Sequence, residues 1–287
     1  MWLLVGGDSE IGAATRAALT AQGLPVAATT RRRDLVAADR PFLDLAAPLD
    51  DWGPPPHTSA ACITAAVARL AACAAAPKAS AHINVTQTLA LADRLIERDI
   101  PVLFLSTNQV FDGTTPNVPA DAPTCAVSEY GRQKARAEAL LRRRMDAGAR
   151  VSILRLAKVV SPDMPLLRGW INSLAARRPI QAFHDMTMAP VPTQLAAAAI
   201  AALLSGRASG IYQLSGPRDA SYAEIGRFLA RRLGADPALV TTCSAYAAGL
   251  PDGATPRHTT LDSSALSERY GCTAPNVWAV VESVAAA

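Results

Sequence analysis

Short apolar runs alternate with stretches of helical periodicity over the first 160 residues. We predict six strands there: Trp2–Val5, Pro25–Thr29, Pro41–Leu45, Ala60–Thr64, Val102–Ser106 and Val151–Leu156. The helices predicted between them cover residues 11–22, about 80–98, and 127–146. Strands that alternate with helices indicate βαβ units, and therefore an α/β fold with a doubly wound parallel sheet of Rossmann type.

Beyond residue 160 the pattern loosens, and proline and glycine interrupt it often. Helices are predicted at residues 165–177, 193–204 and 221–233, with a short strand at Ile211–Leu214. We expect residues 161–287 to form a smaller C-terminal substrate lobe over the carboxyl ends of the strands, where open α/β folds bind ligands. Residues 1–160 would form the Rossmann domain, and part of residues 205–220 is a candidate to return to it.

Composition and charge narrow the class of protein. Half of the 287 residues are hydrophobic, 18% are charged, and the formal net charge is +4, as in ordinary globular proteins. The arginine clusters have no aromatic residues among them, so we expect no nucleic-acid partner. No window has the apolar length of a membrane span and no secretory leader is seen, so no membrane association is expected. The five scattered cysteines form no CxxC pair or Cys/His spacing, which predicts a reducing, cytoplasmic setting and no metal site.

The segment GGDSEIG, residues 6–12, joins the first predicted strand to the first predicted helix. A dinucleotide fold needs a tight turn there, a helix N-terminus aimed at the pyrophosphate, and a small residue where helix meets strand. Ser9 stands where many such loops have glycine, and its hydroxyl could donate to a phosphate oxygen. An ordinary βα turn is the alternative. The residues of this segment expected to contact a cofactor are Gly6, Ser9, Glu10, Ile11 and Gly12.

Arginines follow the second predicted strand directly, at Arg31, Arg32 and Arg33. An NAD enzyme usually has an acid near the position of Thr29 or Thr30 to hold the ribose 2′-hydroxyl, and the sequence has none there. Cations suit the additional 2′-phosphate of NADP. We therefore expect NADP(H) in preference to NAD(H), with Arg31 and Arg32 at the phosphate.

Tyr130 and Lys134 lie four residues apart on a predicted helix, so both point to one face. A free tyrosine has a pKa of about 10, and a nearby ammonium group would lower that pKa. Lys134 would also hold the nicotinamide ribose. A hydroxyl from Thr107 or Ser106 would bind the substrate oxygen, and Tyr130 would protonate that oxygen as hydride reaches the carbon.

Six segments of the chain resemble the extended short-chain dehydrogenases/reductases, most closely the dTDP-4-dehydrorhamnose reductases and related nucleotide-sugar enzymes. The segments are GGDSEIG at 6–12, ITAAVA at 63–68, INVTQTLALAD at 83–93, LFLSTNQVFDG at 103–113, SEYGRQKARAE at 128–138 and PRHTTLDSSAL at 256–266. The resemblance implies Thr107, Tyr130 and Lys134 as the catalytic set and allows a homodimer. Further residues expected to line the cofactor are Asp44 and Leu45, near the adenine, and Ala65, Ala66, Val67, Ser106 and Lys134.

Two departures from the family pattern concern the substrate. The reductases usually have Asp-Tyr after Ser-Thr, and the related 4,6-dehydratases have Asp-Glu, whereas this chain has Asn108 and Gln109. Because amides do not exchange protons near neutral pH, dehydration is disfavoured. Lys158 stands where the family often has Asn or Trp, and it either meets a carboxylate or diphosphate or faces solvent at the rim. The candidate substrate residues are Ser106, Gln109 and Lys158.

These observations predict an NADPH-dependent reductase of a keto group on a nucleotide sugar. Two alternatives stay open. One is a nucleotide-sugar epimerase that retains NAD, and the arginines after the second strand count against it. The other is a non-catalytic regulatory subunit that binds a nucleotide or sugar nucleotide. Tyr130 and Lys134 count against this second alternative, whereas Ser9, Asn108 and Gln109 keep it open.

Overall fold

The computed structural model describes residues 1–206, 208–250 and 253–286 of the chain. Its strands are β1 (Trp2–Val5), β2 (Val26–Ala28), β3 (Ala60–Ile63), β4 (Val102–Thr107), β5 (Val151–Leu156), β6 (Val159–Val160), β7 (Ile180–Phe183), β8 (Thr187–Met188), β9 (Val191–Pro192), β10 (Gly210–Leu214), β11 (Ala220–Ser221) and β12 (Val240–Cys243). Its α-helices are α1 (Glu10–Ala21), α2 (Leu70–Ala75), α3 (Pro77–Ala81), α4 (Thr88–Ile96), α5 (Glu129–Asp146), α6 (Pro165–Ala175), α7 (Thr193–Ser205), α8 (Tyr222–Arg232), α9 (Ser264–Tyr270) and α10 (Val277–Ala286). A π-helical segment, His82–Gln87, joins α3 to α4.

Six strands form one parallel sheet in the order β10-β5-β4-β3-β1-β2. Trp2 of β1 lies beside Val26 on one side and Ala60 on the other, so the chain reverses its direction of travel across the sheet at β1. At such a switch point the loops after neighbouring strands separate and leave a crevice at the carboxyl ends. The predicted doubly wound Rossmann architecture is therefore confirmed.

Helices cover both faces of the sheet. On one face α1 and α7 contribute Leu19 and Ile200 to a fully buried cluster, and on the other α4 and α5 contribute Leu95 and Leu141. Burying a leucine or isoleucine side chain completely stabilises a fold by about 1.5–3 kcal/mol. β3, β4 and β5 are buried along their whole length, which is why mostly apolar runs predicted them.

The C-terminal half of the chain is divided between two cores. β7, β12, α6, α8 and α10 surround an apolar cluster of their own. By contrast, α7 and β10 pack into the larger sheet, where β10 pairs with β5. Arg207, in the stretch 205–220 that was expected to return to the sheet, lies outside the described residues. A domain boundary near residue 160 stays a prediction.

Two predicted elements were wrong in detail. Pro41–Leu45 is not a strand: it makes a single bridge, between Thr30 and Phe42, because Pro41 has no N–H to extend a ladder and the Asp44 carboxylate accepts from Ala46 N to start a turn. The helix predicted at 80–98 is three segments, α3, the π-helical segment and α4. The sequence patterns also missed α2, α9, α10 and the short strands β6 to β9, β11 and β12.

In the three described ranges, none of the helices is both long and apolar enough to cross a bilayer. The same ranges contain no group of three His, Cys, Asp or Glu side chains placed to hold a metal ion.

Candidate active site

A cavity of about 1030 Å³ opens at the carboxyl ends of the sheet strands, between the sheet and the C-terminal lobe. Most of the residues predicted to contact cofactor or substrate line it. They are Gly6, Ser9, Glu10, Ile11, Arg31, Asp44, Leu45, Ala65, Ala66, Val67, Ser106, Thr107, Gln109, Tyr130, Lys134 and Lys158. Of the other two predicted residues, Gly12 packs behind the turn and Arg32 projects outside the lining.

The glycine turn requires its two outer glycines for steric reasons. Gly6 has φ +96°, and a Cβ atom there would lie 2.8 Å from Ala65 N. A Cβ atom on Gly12 would overlap the carbonyl oxygen of Gly6, so α1 packs directly on the turn. These contacts leave the N-terminus of α1 open to the cavity, in the arrangement that binds phosphate groups.

The Ser9 hydroxyl caps the helix that follows the glycine turn. As N-cap of α1 it accepts from Gly12 N at 3.0 Å, and it donates its proton to Gly6 O at 2.8 Å. Both contacts lie within the turn, so serine in place of glycine stiffens it. A hydrogen bond from Ser9 to a phosphate oxygen stays a prediction.

Two hydroxyl groups stand at the end of β4. Thr107 Oγ1 accepts from Gln109 N at 3.2 Å, and its nearest acceptor, Asn108 Oδ1, lies at a long 3.4 Å. Ser106 is 6% exposed, and its Oγ has no hydrogen-bond partner within the described part of the chain. A buried hydroxyl without a partner is uncommon in proteins, and its place in the cavity wall fits a group that a ligand satisfies.

Tyr130 and Lys134 lie one turn apart near the start of α5, and both line the cavity. Lys134 is 2% exposed; its Nζ donates to Leu105 O at 2.7 Å and lies 4.3 Å from the centre of the Phe104 ring. Burial lowers the pKa of Lys134 to about 8, although the Glu138 charge opposes this shift. Two of the three ammonium protons stay available for a ligand.

The expected effect of Lys134 on Tyr130 is not found. Burial of the phenol, followed by the nearby Cys73 thiol, raises the pKa of Tyr130 above its usual value. The Lys134 ammonium is drawn to the Leu105 carbonyl, and desolvation outweighs any attraction between the two groups. Tyr130 therefore keeps its proton at neutral pH, which suits a proton donor.

A buried amide pair ties the cavity wall to α5 and explains the π-helical segment. Asn84 accepts from Val67 N at 2.8 Å, donates to Val67 O at 2.9 Å, and donates to Gln133 Oε1 at 2.8 Å. Gln133 in turn donates to Ser80 Oγ at 2.8 Å. The wider π turn turns Asn84 towards Val67, a common use of such turns at functional sites. Sequence reasoning missed this role, although Asn84 lies in the matched segment 83–93.

The two candidate substrate residues outside β4, Gln109 and Lys158, differ in whether their side chains already bind within the protein. Gln109 Oε1 accepts from Ser128 Oγ at 2.9 Å, so this side chain braces the N-cap of α5. Lys158 is exposed at the rim.

Sequence reasoning missed Tyr222, which is 5% exposed and lines the opposite wall with its ring edge-on to Trp170.

An acid does lie at the end of β2, contrary to expectation, and the glycine turn supplies it. Asp8 accepts from Thr30 Oγ1 at 2.6 Å and from Arg40 Nη2 at 2.7 Å, and Arg32 Nη2 lies 3.8 Å away. Asp8 and Arg31 both line the cavity. The sequence could not show this because Asp8 precedes Thr30 by more than twenty residues.

Comparison with known proteins agrees with this geometry. The family described as RmlD substrate binding domain matches residues 1–287. The chain is 31% identical over 242 residues to the dTDP-4-keto-6-deoxy-D-glucose reductase of Streptomyces niveus, covering 83% of this chain and 81% of that protein. It is 28% identical over 212 residues to the probable low-salt glycan biosynthesis reductase Agl14 of Haloferax volcanii, covering 71% and 69%. The UDP-glucose 4-epimerase of Thermus thermophilus, solved with NAD, has the same fold, with a TM-score of 0.81 at 20% identity, covering 100% of this chain and 98% of that one.

Fold and site together define a nicotinamide-dependent oxidoreductase of the short-chain dehydrogenase/reductase type. The residues present fit such a cofactor, because the turn at Gly6 and Gly12 admits no side chain and the Ser106 hydroxyl lacks a partner among the described residues. More narrowly, the chain belongs to the RmlD substrate binding domain family, an assignment that covers its whole length.

Proposed function

We propose that this protein is an NADPH-dependent reductase of a keto group on a nucleotide sugar. One observation carries the proposal: a single cavity joins the glycine turn, the hydroxyls at the end of β4, and the Tyr130–Lys134 face of α5. The names of the relatives support the substrate class, since both are reductases and one acts on a keto-deoxy sugar nucleotide.

The cofactor would lie across the carboxyl ends of the strands. Its pyrophosphate would meet the N-terminus of α1 at Ser9, Glu10 and Ile11, and its adenine would lie near Asp44 and Leu45. Ala65, Ala66 and Val67 would form the wall between these ends, held in place by the Asn84 side chain. When bound, the reduced nicotinamide supplies the hydride.

The protein's own groups would handle the proton and the orientation. Tyr130 holds a proton at neutral pH and would donate it to the substrate oxygen as negative charge develops there. Thr107 or Ser106 would donate a hydrogen bond to the same oxygen and fix the angle of the carbonyl. Lys134, anchored on Leu105 O, would use its remaining protons to hold the nicotinamide ribose.

The chemistry around the carbonyl favours reduction over dehydration. Elimination of water needs groups that give and take protons, and the residues after Thr107 are the amides Asn108 and Gln109. Gln109 is further committed to Ser128. Lys158 at the rim would meet an anionic part of the substrate, such as its diphosphate.

The preference for NADPH rests on the positive charge beyond β2. Arg31 lines the cavity, and Arg32 and Arg40 flank it through Asp8. Guanidinium groups bind phosphate through charge-assisted hydrogen bonds, which the ribose hydroxyl of NADH cannot match. A homodimer and a cytoplasmic setting stay predictions from the sequence.

The test is a screen of keto nucleotide sugars for oxidation of NADPH, followed by absorbance, with Tyr130→Phe as the matched control. We expect turnover of at least one substrate by the natural protein and none above background by the variant. NADPH binding by both proteins without turnover of any sugar would instead favour the regulatory alternative.

An epimerase that retains NAD is a second candidate, because Asp8 places a carboxylate where a ribose 2′-hydroxyl could donate to it. Denaturing freshly purified protein and analysing the released nucleotide distinguishes the two. Stoichiometric NAD would favour the epimerase, whereas protein free of nucleotide would favour the reductase.

A further inference from the structure

The Asp8 carboxylate lies at the end of the cavity near the arginines that follow β2. Its side chain is 28% exposed and lines the cavity. Thr30 links it to the strand, since Thr30 Oγ1 donates to Asp8 at 2.6 Å and accepts from Arg32 N at 3.0 Å. Partial burial raises the pKa of Asp8, but the Thr30 hydrogen bond and the Arg32 charge outweigh it, so the carboxylate is ionised at neutral pH.

The arginines around Asp8 are arranged as its counter-charges. Arg40 Nη2 lies 2.7 Å from Asp8 Oδ1, and Arg32 Nη2 lies 3.8 Å from the same oxygen. Arg40 donates to Asp8 through Nη2. A guanidinium group has five N–H donors, so Arg40 can hold a second acceptor beside Asp8.

NADH and NADPH differ only at the ribose 2′ position, which would lie beside these groups in the arrangement proposed above. A ribose 2′-hydroxyl can donate to a carboxylate. A 2′-phosphate carries about two negative charges near neutral pH and would repel that carboxylate while it competes for the same guanidinium groups. The acid and the arginines therefore act on the choice of cofactor in opposite directions.

We propose that Asp8 is the specificity-determining residue of the cofactor site, which favours the unphosphorylated ribose and limits the preference for NADPH that the arginines create. This inference rests on the proposed function, because it requires a nicotinamide dinucleotide in the cavity. Asp8 would accept from the 2′-hydroxyl of NADH. With NADPH, Arg40 and Arg32 would turn from Asp8 to the 2′-phosphate.

Direct binding tests the inference without any knowledge of the sugar. NADPH and NADH are titrated separately into the natural protein and into Asp8→Asn, and the fluorescence of the reduced nicotinamide gives each Kd. In the variant we expect NADPH to bind more tightly and NADH more weakly, so that the ratio Kd(NADH)/Kd(NADPH) rises about tenfold. A ratio that is unchanged or that falls would overturn the inference.

Asp39→Asn is the matched control. Asp39 is also an acid paired with an arginine next to β2, namely Arg16, but it lies outside the cavity lining. Its removal changes the net charge equally, and we expect a ratio within about twofold of the natural protein because exposed, distant charges are screened. An equal rise in both variants would show a general charge effect and reject the role of Asp8.

Arg40→Gln keeps the inference testable even if Asp8→Asn folds poorly. This variant should weaken NADPH binding about tenfold and leave NADH binding within about twofold, because only NADPH has a 2′-phosphate to which Arg40 would donate. Equal loss for both forms would count against the arrangement.

If the natural protein binds neither nucleotide, the proposed function fails. If it binds both and neither variant changes the ratio, this inference alone fails.

Discussion

Replacing Glu138 with glutamine should destabilise the protein strongly, because the change leaves a buried guanidinium group without its counter-charge. Arg155 is 0% and Glu138 1% exposed in their side chains. Arg155 Nη2 lies 2.7 Å from Glu138 Oε2, and Arg155 Nε lies 3.1 and 3.2 Å from the two carboxylate oxygens. The third nitrogen, Nη1, donates to Ala120 O and Gln213 Oε1 at 3.0 and 3.1 Å. The pair thus joins α5, β5, β10 and the loop before α5.

The expected size of the loss follows from this burial. Breaking a buried, fully hydrogen-bonded ion pair by removing one charge costs about 3–5 kcal/mol. Since about 1 kcal/mol corresponds to about 2–4 °C in chains of roughly this size, the melting temperature should fall by about 10 °C. Urea unfolding followed by circular dichroism gives the free energy of unfolding, and thermal unfolding checks it.

Glu282→Gln is the control, because Glu282 lies 2.7 Å from Arg232 and their side chains are 48% and 56% exposed. An exposed pair contributes about 0–1 kcal/mol, so this variant should unfold almost as the natural protein does. If Glu138→Gln lost less than about 1 kcal/mol of unfolding free energy, the reasoning from burial and charge would be refuted.

Glu138 also raises the pKa of Lys134, so its loss should move the pH dependence of cofactor binding to lower pH.

Three further predictions concern the site. Tyr130→Phe should lower kcat by about 10²–10⁴-fold and leave NADPH binding nearly intact; NADPH oxidation and titration measure the two effects, and an active variant would contradict the assignment. Burial lowers the pKa of Lys134 to about 8, so its proton is lost as pH rises through that value and NADPH affinity should fall there. Lys134→Arg, which stays charged, should make NADPH affinity independent of pH in this range. A natural protein whose NADPH affinity does not change with pH would argue against the role of the ammonium. Replacing both Arg31 and Arg32 with alanine should weaken NADPH far more than NADH in the same titration, and equal losses would reject their contact with the 2′-phosphate.

The parts of the fold that follow from local pattern could be predicted from the sequence. β1, β3, β4 and β5 are short, mostly apolar runs, and α5 begins at the Ser128 cap that precedes Tyr130. Pro41–Leu45 has the composition of a strand, but its single bridge is to Thr30, beyond the end of β2, and its own proline cannot donate. The π-helical segment was not predictable from periodicity, because the contacts that stabilise it come from Val67 and Gln133.

The site was predictable where its residues share one element and was not where distant segments meet. Tyr130 and Lys134 are one turn apart, and the prediction that both line one cavity required only helical geometry. Asp8 meets Thr30 and Arg40 through the fold alone, so the sequence did not show an acid beyond the end of β2. The orientation of Lys134 towards Leu105 O, which leaves the Tyr130 pKa raised by burial, likewise depends on atoms outside α5.

The return of the chain to the main sheet limits how such an enzyme can be recombined with a relative. Because β10 forms the sheet edge beside β5, and α7 packs against α1, segments from the C-terminal half of the chain complete the main sheet and one of its helical layers. A chimaera with one junction near residue 160 would graft a foreign edge strand and a foreign helix onto this sheet. Exchange of the segments outside the main sheet therefore needs separate transplants of residues 159–192 and of those after β10, so that α7 and β10 keep their native partners.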